Sequence, residues 1–441
     1  MIPVGFALPP DKGSLALLAD LIEQDADYYE LTPETLWRGD PLEPNGFWRL
    51  FAALAAHDHR PVVAHGVSLS PGSAGGGAAR RAALLARIAA DHAQLRFGWY
   101  TDHLGASVLD GLQLALPCPV PMIPAAAATL RARLAELQRI VPDVGVESTC
   151  NYATFGHPLD EPAFLRAALD RPRTWLLLDL HNVWTMGQNL GFDPLDWIGR
   201  APLEKVIEIH VSGGSESDPR WLPDGRILRL DSHDGAVPEP VWALLERVAP
   251  RCPNLRGITL ERMEGTVQAS EVGGLRSEMA RIRDLARTLP DPCEPPGPPP
   301  VLPLEPLAED MDWEVLLARA WLAPDPVSAF GDLNRETSLP EDLRTSLRGV
   351  DADGIRISAL LISKLRFERL LHGSRTAVAA LGGRSGLRRG IPALSGRGPS
   401  DSHRPPLRGA PVAGVARPPG WGRARASPHP SAVKPKAPSC T

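Results

Sequence analysis

Up to about residue 290 the chain repeats one pattern. A short apolar run is followed by a longer stretch of helical period. The runs are "IPVGFAL", "ADYYEL", "PVVAHG", "RFGWYTDH", "VGVEST", "WLLLDL", "VIEIHV" and "GITLER". Between most of them lie amphipathic segments such as "TLRARLAELQRIV" (129–141) and "EPAFLRAAL" (161–169). Such alternation predicts parallel βα units. Eight units in this length predict a closed (β/α)8 barrel of TIM type over residues 1–290. An open, doubly wound sheet would call for a Gly-rich phosphate loop after the first strand, and none follows it. "PDPCEPPGPPPVLPLEP" then reads as a semi-rigid linker over 291–306, because its prolines favour extended backbone. "MDWEVLLARAWLA" and "GIRISALLISKLRFERLL" regain helical period, so residues 307–372 are expected to form a small helical module. Residues 373–441 hold mostly Arg, Pro, Gly, Ser and Ala. They bury too little to offset ordering entropy and are expected to be a disordered basic tail.

The polar residues at the strand ends change the picture. The second run ends in Glu30 and Leu31, the third gives His65, the fourth His103, the fifth Glu147. The sixth ends in Asp179, followed by His181 and Asn182. The seventh gives His210, the loop after it Asp231 and His233, and the eighth Glu261. In a barrel all these ends converge on one face. A single His there is commonly structural, but acids and imidazoles on so many consecutive strands are not. Carboxylates gathered without cations repel one another. Divalent metal resolves the conflict, since Asp, Glu and neutral His are its ligands. His65, His103, Glu147, Asp179, Asn182, His210, Asp231, His233 and Glu261 exceed what one ion can use, so two or three ions are expected. Glu147, His210 and Glu261 sit in apolar runs where a structural charge is costly. Asp231 and His233 could belong to an ordinary polar loop, but their D-x-H spacing lets both side chains grip one ion. Extended geometry puts only one of His181 and Asn182 on the side of Asp179. A turn after Asp179 favours Asn182 and leaves His181 outside the ligand set.

Charge and cysteine usage narrow the classes. The net charge is −5, yet from Arg375 onward there are 12 Lys and Arg against the single acid Asp401. That stretch is near +11 and the remainder near −16. The acidic body argues against nucleic acid as a partner. Five scattered cysteines without a CxxC motif fit a reducing compartment. "MIPVGFALPP" lacks a basic signal-peptide start, and no apolar window reaches membrane-spanning length. A cytoplasmic protein without membrane contact is expected.

Taken together, "YYELTPETLWRG", "HGVSLS", "DHL", the Glu147 segment through Tyr152, "LLLDLHN", "EIHVSG", "DSHDG" and "LERMEG" resemble the multinuclear non-heme iron-dependent oxidative enzymes. That family, long catalogued as a domain of unknown function, includes methanobactin-biosynthesis-like oxidases. The resemblance runs from about residue 2 to 287. It implies a (β/α)8 barrel with two or three irons, dioxygen as co-substrate, and oxidation of cysteines in a ribosomally made precursor peptide. It also implies metal roles for the nine residues above, with Glu147, Asp179 and His210 closest to the chemistry. A separate peptide-recognition protein often accompanies such enzymes, and by that analogy residues 307–372 are a candidate recognition module. The chain departs from the family in carrying Ser148 and Thr35 where Asn is usual, and His181 where Asn is frequent. The ligand pattern leaves open a hydrolase or isomerase of the endonuclease IV or xylose isomerase-like barrel type, or a non-catalytic metal-binding scaffold.

Overall fold

A computed structural model describes residues 1–292 and 313–373, apart from 76, 110 and 337. The predicted linker beyond its first two residues, and the predicted tail beyond its first, lie outside them. Eight parallel strands close into a barrel in which each strand pairs with its neighbours in sequence and the last pairs with the first. They are β1 (Val4–Ala7), β2 (Tyr28–Leu31), β3 (Val62–Gly66), β4 (Tyr100–His103), β5 (Val144–Glu147), β6 (Thr174–Asp179), β7 (Val206–Val211) and β8 (Gly257–Leu260). Each falls inside one of the eight apolar runs, save that β6 begins one residue before its run. All residues of β5, β6 and β7 are buried, as a parallel sheet covered by helices requires.

The helices have local reasons to start and stop. Asp11 caps the helix Lys12–Asp25 by accepting from the Ser14 amide at 2.7 Å, and Asn45 caps Gly46–Asp58. Within the barrel, the Tyr28 hydroxyl donates to Glu208 Oε1 at 2.9 Å, Thr259 Oγ1 does so at 2.6 Å, and Trp99 Nε1 donates to Glu208 Oε2 at 2.6 Å. A fully buried carboxylate is tolerable there because these donors satisfy it.

Strand register sets the ligand face. His103 lies opposite Glu147 across β4 and β5, and Asp179 opposite His210 across β6 and β7. Two short antiparallel hairpins, Trp37–Arg38 with Glu43–Pro44 and Ala106–Leu109 with Leu112–Cys118, grow from loops at this end.

Beyond the undescribed segment come the helices Trp313–Trp321, Pro326–Leu333, Glu341–Ser346 and Ala352–Gly373. They do not stand apart from the barrel. Trp321 stacks on Phe155, from the loop after β5, with centroids 6.2 Å apart, and Phe330 lies 5.8 Å from the same ring. Buried Glu314 accepts from the Ala74 and Gly75 amides, in the loop after β3, at 2.6 and 3.3 Å. The apolar side chains of these helices belong to the same core as the barrel. Among the described residues no helix is long and apolar enough to cross a membrane, and Cys118, Cys150 and Cys252 are free thiols.

Candidate metal centre

The C-terminal strand ends gather all nine predicted side chains into one bowl. His65 stacks on His103 with centroids 4.6 Å apart. Their Nε2 atoms lie 3.4 and 3.3 Å from the same oxygen, Glu147 Oε2. The opposite ring nitrogens are engaged elsewhere: His65 Nδ1 meets Thr101 Oγ1 at 3.0 Å, and His103 Nδ1 meets the Gly66 carbonyl at 2.9 Å. Fixing one ring nitrogen on a hydroxyl or carbonyl presents the other as a donor atom. Asn182 Nδ2 donates to Glu147 Oε1 at 3.0 Å. His210 is gripped on both sides, by Glu30 Oε2 at 2.9 Å from Nε2 and Glu261 Oε2 at 3.0 Å from Nδ1. His233 Nε2 lies 2.6 Å from Asp231 Oδ1, and its Nδ1 lies 3.6 Å from Glu261 Oε2.

These contacts resolve into four overlapping groups whose ligand atoms all lie within 4.8 Å of one another. They are His65, Glu147 and His210; Glu30, His210 and Glu261; Asp179, His233 and Glu261; and His181, Asp231 and His233. His210, Glu261 and His233 each belong to two groups, so the four form a row rather than separate clusters. Shared donors along a row suit several ions better than one.

The chemistry of the donor set fits divalent metal. Glu147 Oε2, Asp179 Oδ2, Asn182 Oδ1, His181 Nδ1, His210 Nδ1, Asp231 Oδ1, His233 Nε2 and Glu261 Oε2 are all buried without an aligned hydrogen-bond partner. So many unaligned acceptors facing one bowl contradict the usual satisfaction of buried polar groups, and cations answer the need. The proton equilibria are strained in the same sense. Burial, with Glu147, Glu261 and Asp231 nearby, pushes the Asp179 carboxyl well above its usual range. Burial lifts Glu30 to about 7 even with His210 beside it. Burial disfavours charge on His65, but Glu147 and Glu30 outweigh it and raise the imidazole to about 9. At His181 burial outweighs the nearby Asp231 and lowers the imidazole to about 4. A site that must protonate imidazoles to offset its carboxylates becomes a ligand set once divalent cations take over that charge.

Two residues join the site that the sequence reading left out of the ligand set. Glu30 is the last residue but one of β2, as Glu147 is the last of β5, so a similar strand-end signal marks it. The sequence reading leaves His181 outside the ligand set on the expectation of a turn after Asp179, and that turn is present: the strand stops at Asp179 and a helix begins at Leu180. Asp179 caps that helix, its Oδ1 accepting from the Asn182 amide at 2.7 Å. The expected pairing of residues 179 and 182 is therefore present, with Asp179 Oδ2 left facing the bowl. The helical turn also brings His181 Nδ1 to 3.9 Å from Asp231 Oδ1. The neighbouring "SGG" makes room for it, since a Cβ at Gly214 would overlap the Leu230 carbonyl and crowd the His181 ring. Ser148, where the family usually has Asn, accepts from the Asp179 amide at 3.0 Å and so fixes the cap. Thr35 is turned away, bonding the Thr32 carbonyl, while Glu34 ties the second-strand segment to the loop after β3 through the Ser68 amide at 3.2 Å.

Several known proteins are similar to this chain. A UPF0276 protein of Caulobacter vibrioides is 33% identical over 199 residues, 45% of this chain and 67% of that protein. A UPF0276 protein of Pseudomonas aeruginosa is 34% identical over 266 residues, 59% of this chain and 85% of its relative. Among solved structures, a xylose isomerase-like TIM barrel protein from Mycobacterium smegmatis in complex with magnesium aligns at 13% identity, with a TM-score of 0.43, over 66% of this chain and 98% of that one. Endonuclease IV from Thermus thermophilus aligns at 17% identity, with a TM-score of 0.38, over 64% and 99%. The profile of the RiPP precursor modification enzymes MbnB/TglH/ChrH matches residues 15–287, the barrel from within its first helix through its last, and the chain belongs to that family.

Proposed function

We propose that the chain is a multinuclear iron-dependent oxidase that modifies cysteine residues of a ribosomally synthesised precursor peptide with dioxygen. The observation that carries this reading is the row of four donor groups sharing His210, Glu261 and His233. Mixed imidazole and carboxylate donors suit Fe(II), and membership of a family that modifies precursor peptides supplies the substrate class. Iron held in such a row would acidify a bound cysteine thiol, as zinc also does, and would supply what zinc lacks, electrons for dioxygen.

The protein's own share is positional. His65 and His103 hold Glu147 from one side and Asn182 from the other, so this carboxylate has one orientation. Glu30 fixes the His210 ring on the side away from Glu261. Asp179 is anchored through its backbone by Ser148 and through Oδ1 by the Asn182 amide, which leaves Oδ2 for the bowl. Glu147, Asp179 and His210 are the residues proposed to lie closest to the reacting thiol. Delivery of the peptide by a separate recognition protein is a further part of the proposal, drawn from the family resemblance.

The test is oxygen uptake by anaerobically iron-loaded enzyme after addition of a cysteine-containing precursor peptide encoded beside it. Uptake tied to a mass change at cysteine, and lost when that cysteine is serine, is expected. Turnover of an abasic-site oligonucleotide or an aldose by the zinc- or magnesium-loaded chain, without peptide-dependent oxygen uptake, would instead favour the hydrolase or isomerase reading.

A further inference from the structure

The donors Asp231 and His233 are held differently from the rest. The other donors sit at strand ends or on the first turn after β6, fixed by barrel hydrogen bonds such as Glu261 N to the Val211 carbonyl at 3.1 Å. Asp231 and His233 ride on a long excursion between β7 and the helix Glu239–Val248. Its two limbs pair through Ser217 N to the Leu228 carbonyl at 2.7 Å and Leu230 N to the Ser215 carbonyl at 2.8 Å. The returning limb ends at His233 with a φ of +48°. This left-handed conformation is unfavourable for a non-glycine residue and persists only where the surrounding structure imposes it.

Part of what supports the excursion lies beyond the residues that the family profile matches. Leu222, Leu228 and Leu230 of the excursion form a small apolar cluster with Tyr152 and with Ile357 of the helix Ala352–Gly373. A Cβ at Gly354 would overlap the Tyr152 carbonyl, so helix and loop touch at a distance only glycine permits. The Tyr152 hydroxyl in turn accepts from the Asp231 amide at 3.1 Å. Lower on the excursion, Arg226 donates to Asp351 Oδ2 at 2.9 Å and to Asp353 Oδ2 at 3.4 Å. A chain of contacts therefore runs from the C-terminal helix through Tyr152 to Asp231, while the family profile ends at residue 287.

We infer that the helix Ala352–Gly373 is a positioning element of the metal centre. It completes the outer end of the row by holding the Asp231 and His233 loop against His181. The two groups that contain neither loop residue, His65 with Glu147 and His210, and Glu30 with His210 and Glu261, do not need it. Gly354, Ile357 and Tyr152 are the positioning residues. The inference rests on the metal-centre reading above and gives a role to a segment that reading does not use.

The experiment compares the full chain with Gly354→Ala, Tyr152→Phe and Ile357→Val, each purified anaerobically with ferrous iron. Metal per chain and the Mössbauer spectrum are measured on folded protein. Gly354→Ala pushes the helix off Tyr152, and Tyr152→Phe removes only the hydroxyl. Each is expected to weaken the outer ion by about tenfold or more, with loss of one spectral component and retention of the others. Ile357→Val, which removes one methyl group but leaves both the Gly354 approach and the Tyr152 hydroxyl in place, should keep the full set. Unchanged stoichiometry in both Gly354→Ala and Tyr152→Phe, or equal loss of every component, would overturn the inference. A parent chain that binds no metal would overturn the metal-centre reading and this inference with it, a result distinguishable from both.

Discussion

Each donor in the bowl depends on a neighbour for its orientation, so single substitutions should have graded effects. Replacing Glu147, His210 or Glu261 with Ala removes a donor from the inner groups and leaves buried charges uncompensated. Each variant is expected to lose most bound metal and all turnover, read by elemental analysis and peptide mass. Full metal loading in all three would show that they are structural. His181→Asn should lose only the outer ion, because His181 joins a single group, with Asp231 and His233. Asp179→Asn should weaken an inner site, while its amide oxygen can still cap the helix. The pairing of residues 179 and 182 was legible from a turn after Asp179, but the place of His181 was not, because its neighbour Asp231 comes from a distant loop. "LDLHN" crosses from strand to helix within that motif. Another side chain offers a stability test away from the donors. Glu161 is buried with both carboxyl oxygens unpartnered, and burial raises it to about 8. An acid raised in the folded state costs no stability below the unfolded value near 4.5. Above that, stability falls as pH rises, by about 1.4 kcal/mol per unit, until the folded value is passed. Glu161→Gln should remove that slope between pH 5 and about 8, measured by denaturant titration at several pH values. An unchanged slope would mean that Glu161 is charged or paired in the folded chain.

At the scale of elements, the eight strands were legible because a buried parallel strand is a short, continuous apolar run. Their ends were legible because a carboxylate or imidazole closing such a run is expensive. The relation of the C-terminal helices to the barrel was not legible. Their apolar faces are evident from periodicity, but periodicity does not name the partner surface. The structure supplies it: Phe155 meets Trp321 and Phe330, and Tyr152 meets Gly354 and Ile357. A chain cut after residue 291 would expose Phe155, Tyr152, Leu222 and Leu228 to water. At ~2 kcal/mol per large apolar side chain uncovered, the barrel should lose several kcal/mol, and its thermal midpoint should fall by roughly 10 °C or more. A truncated barrel melting with the full chain would show that these contacts contribute little.

Across the whole molecule, closure of the barrel does what no local motif can. It brings Glu30 and Glu261, more than two hundred positions apart, onto the same histidine. The acidic body and the crowded carboxylates then make sense as one feature, a receptor for several cations held by shared donors. The most direct measurement is the metal content of anaerobically purified protein, combined with its Mössbauer spectrum. Two or three irons per chain are expected, with more than one quadrupole doublet, because the inner and outer donor groups differ in composition. A chain that takes up only zinc or magnesium under iron-replete conditions, or a single ion in a single environment, would contradict the multinuclear iron centre proposed for this barrel.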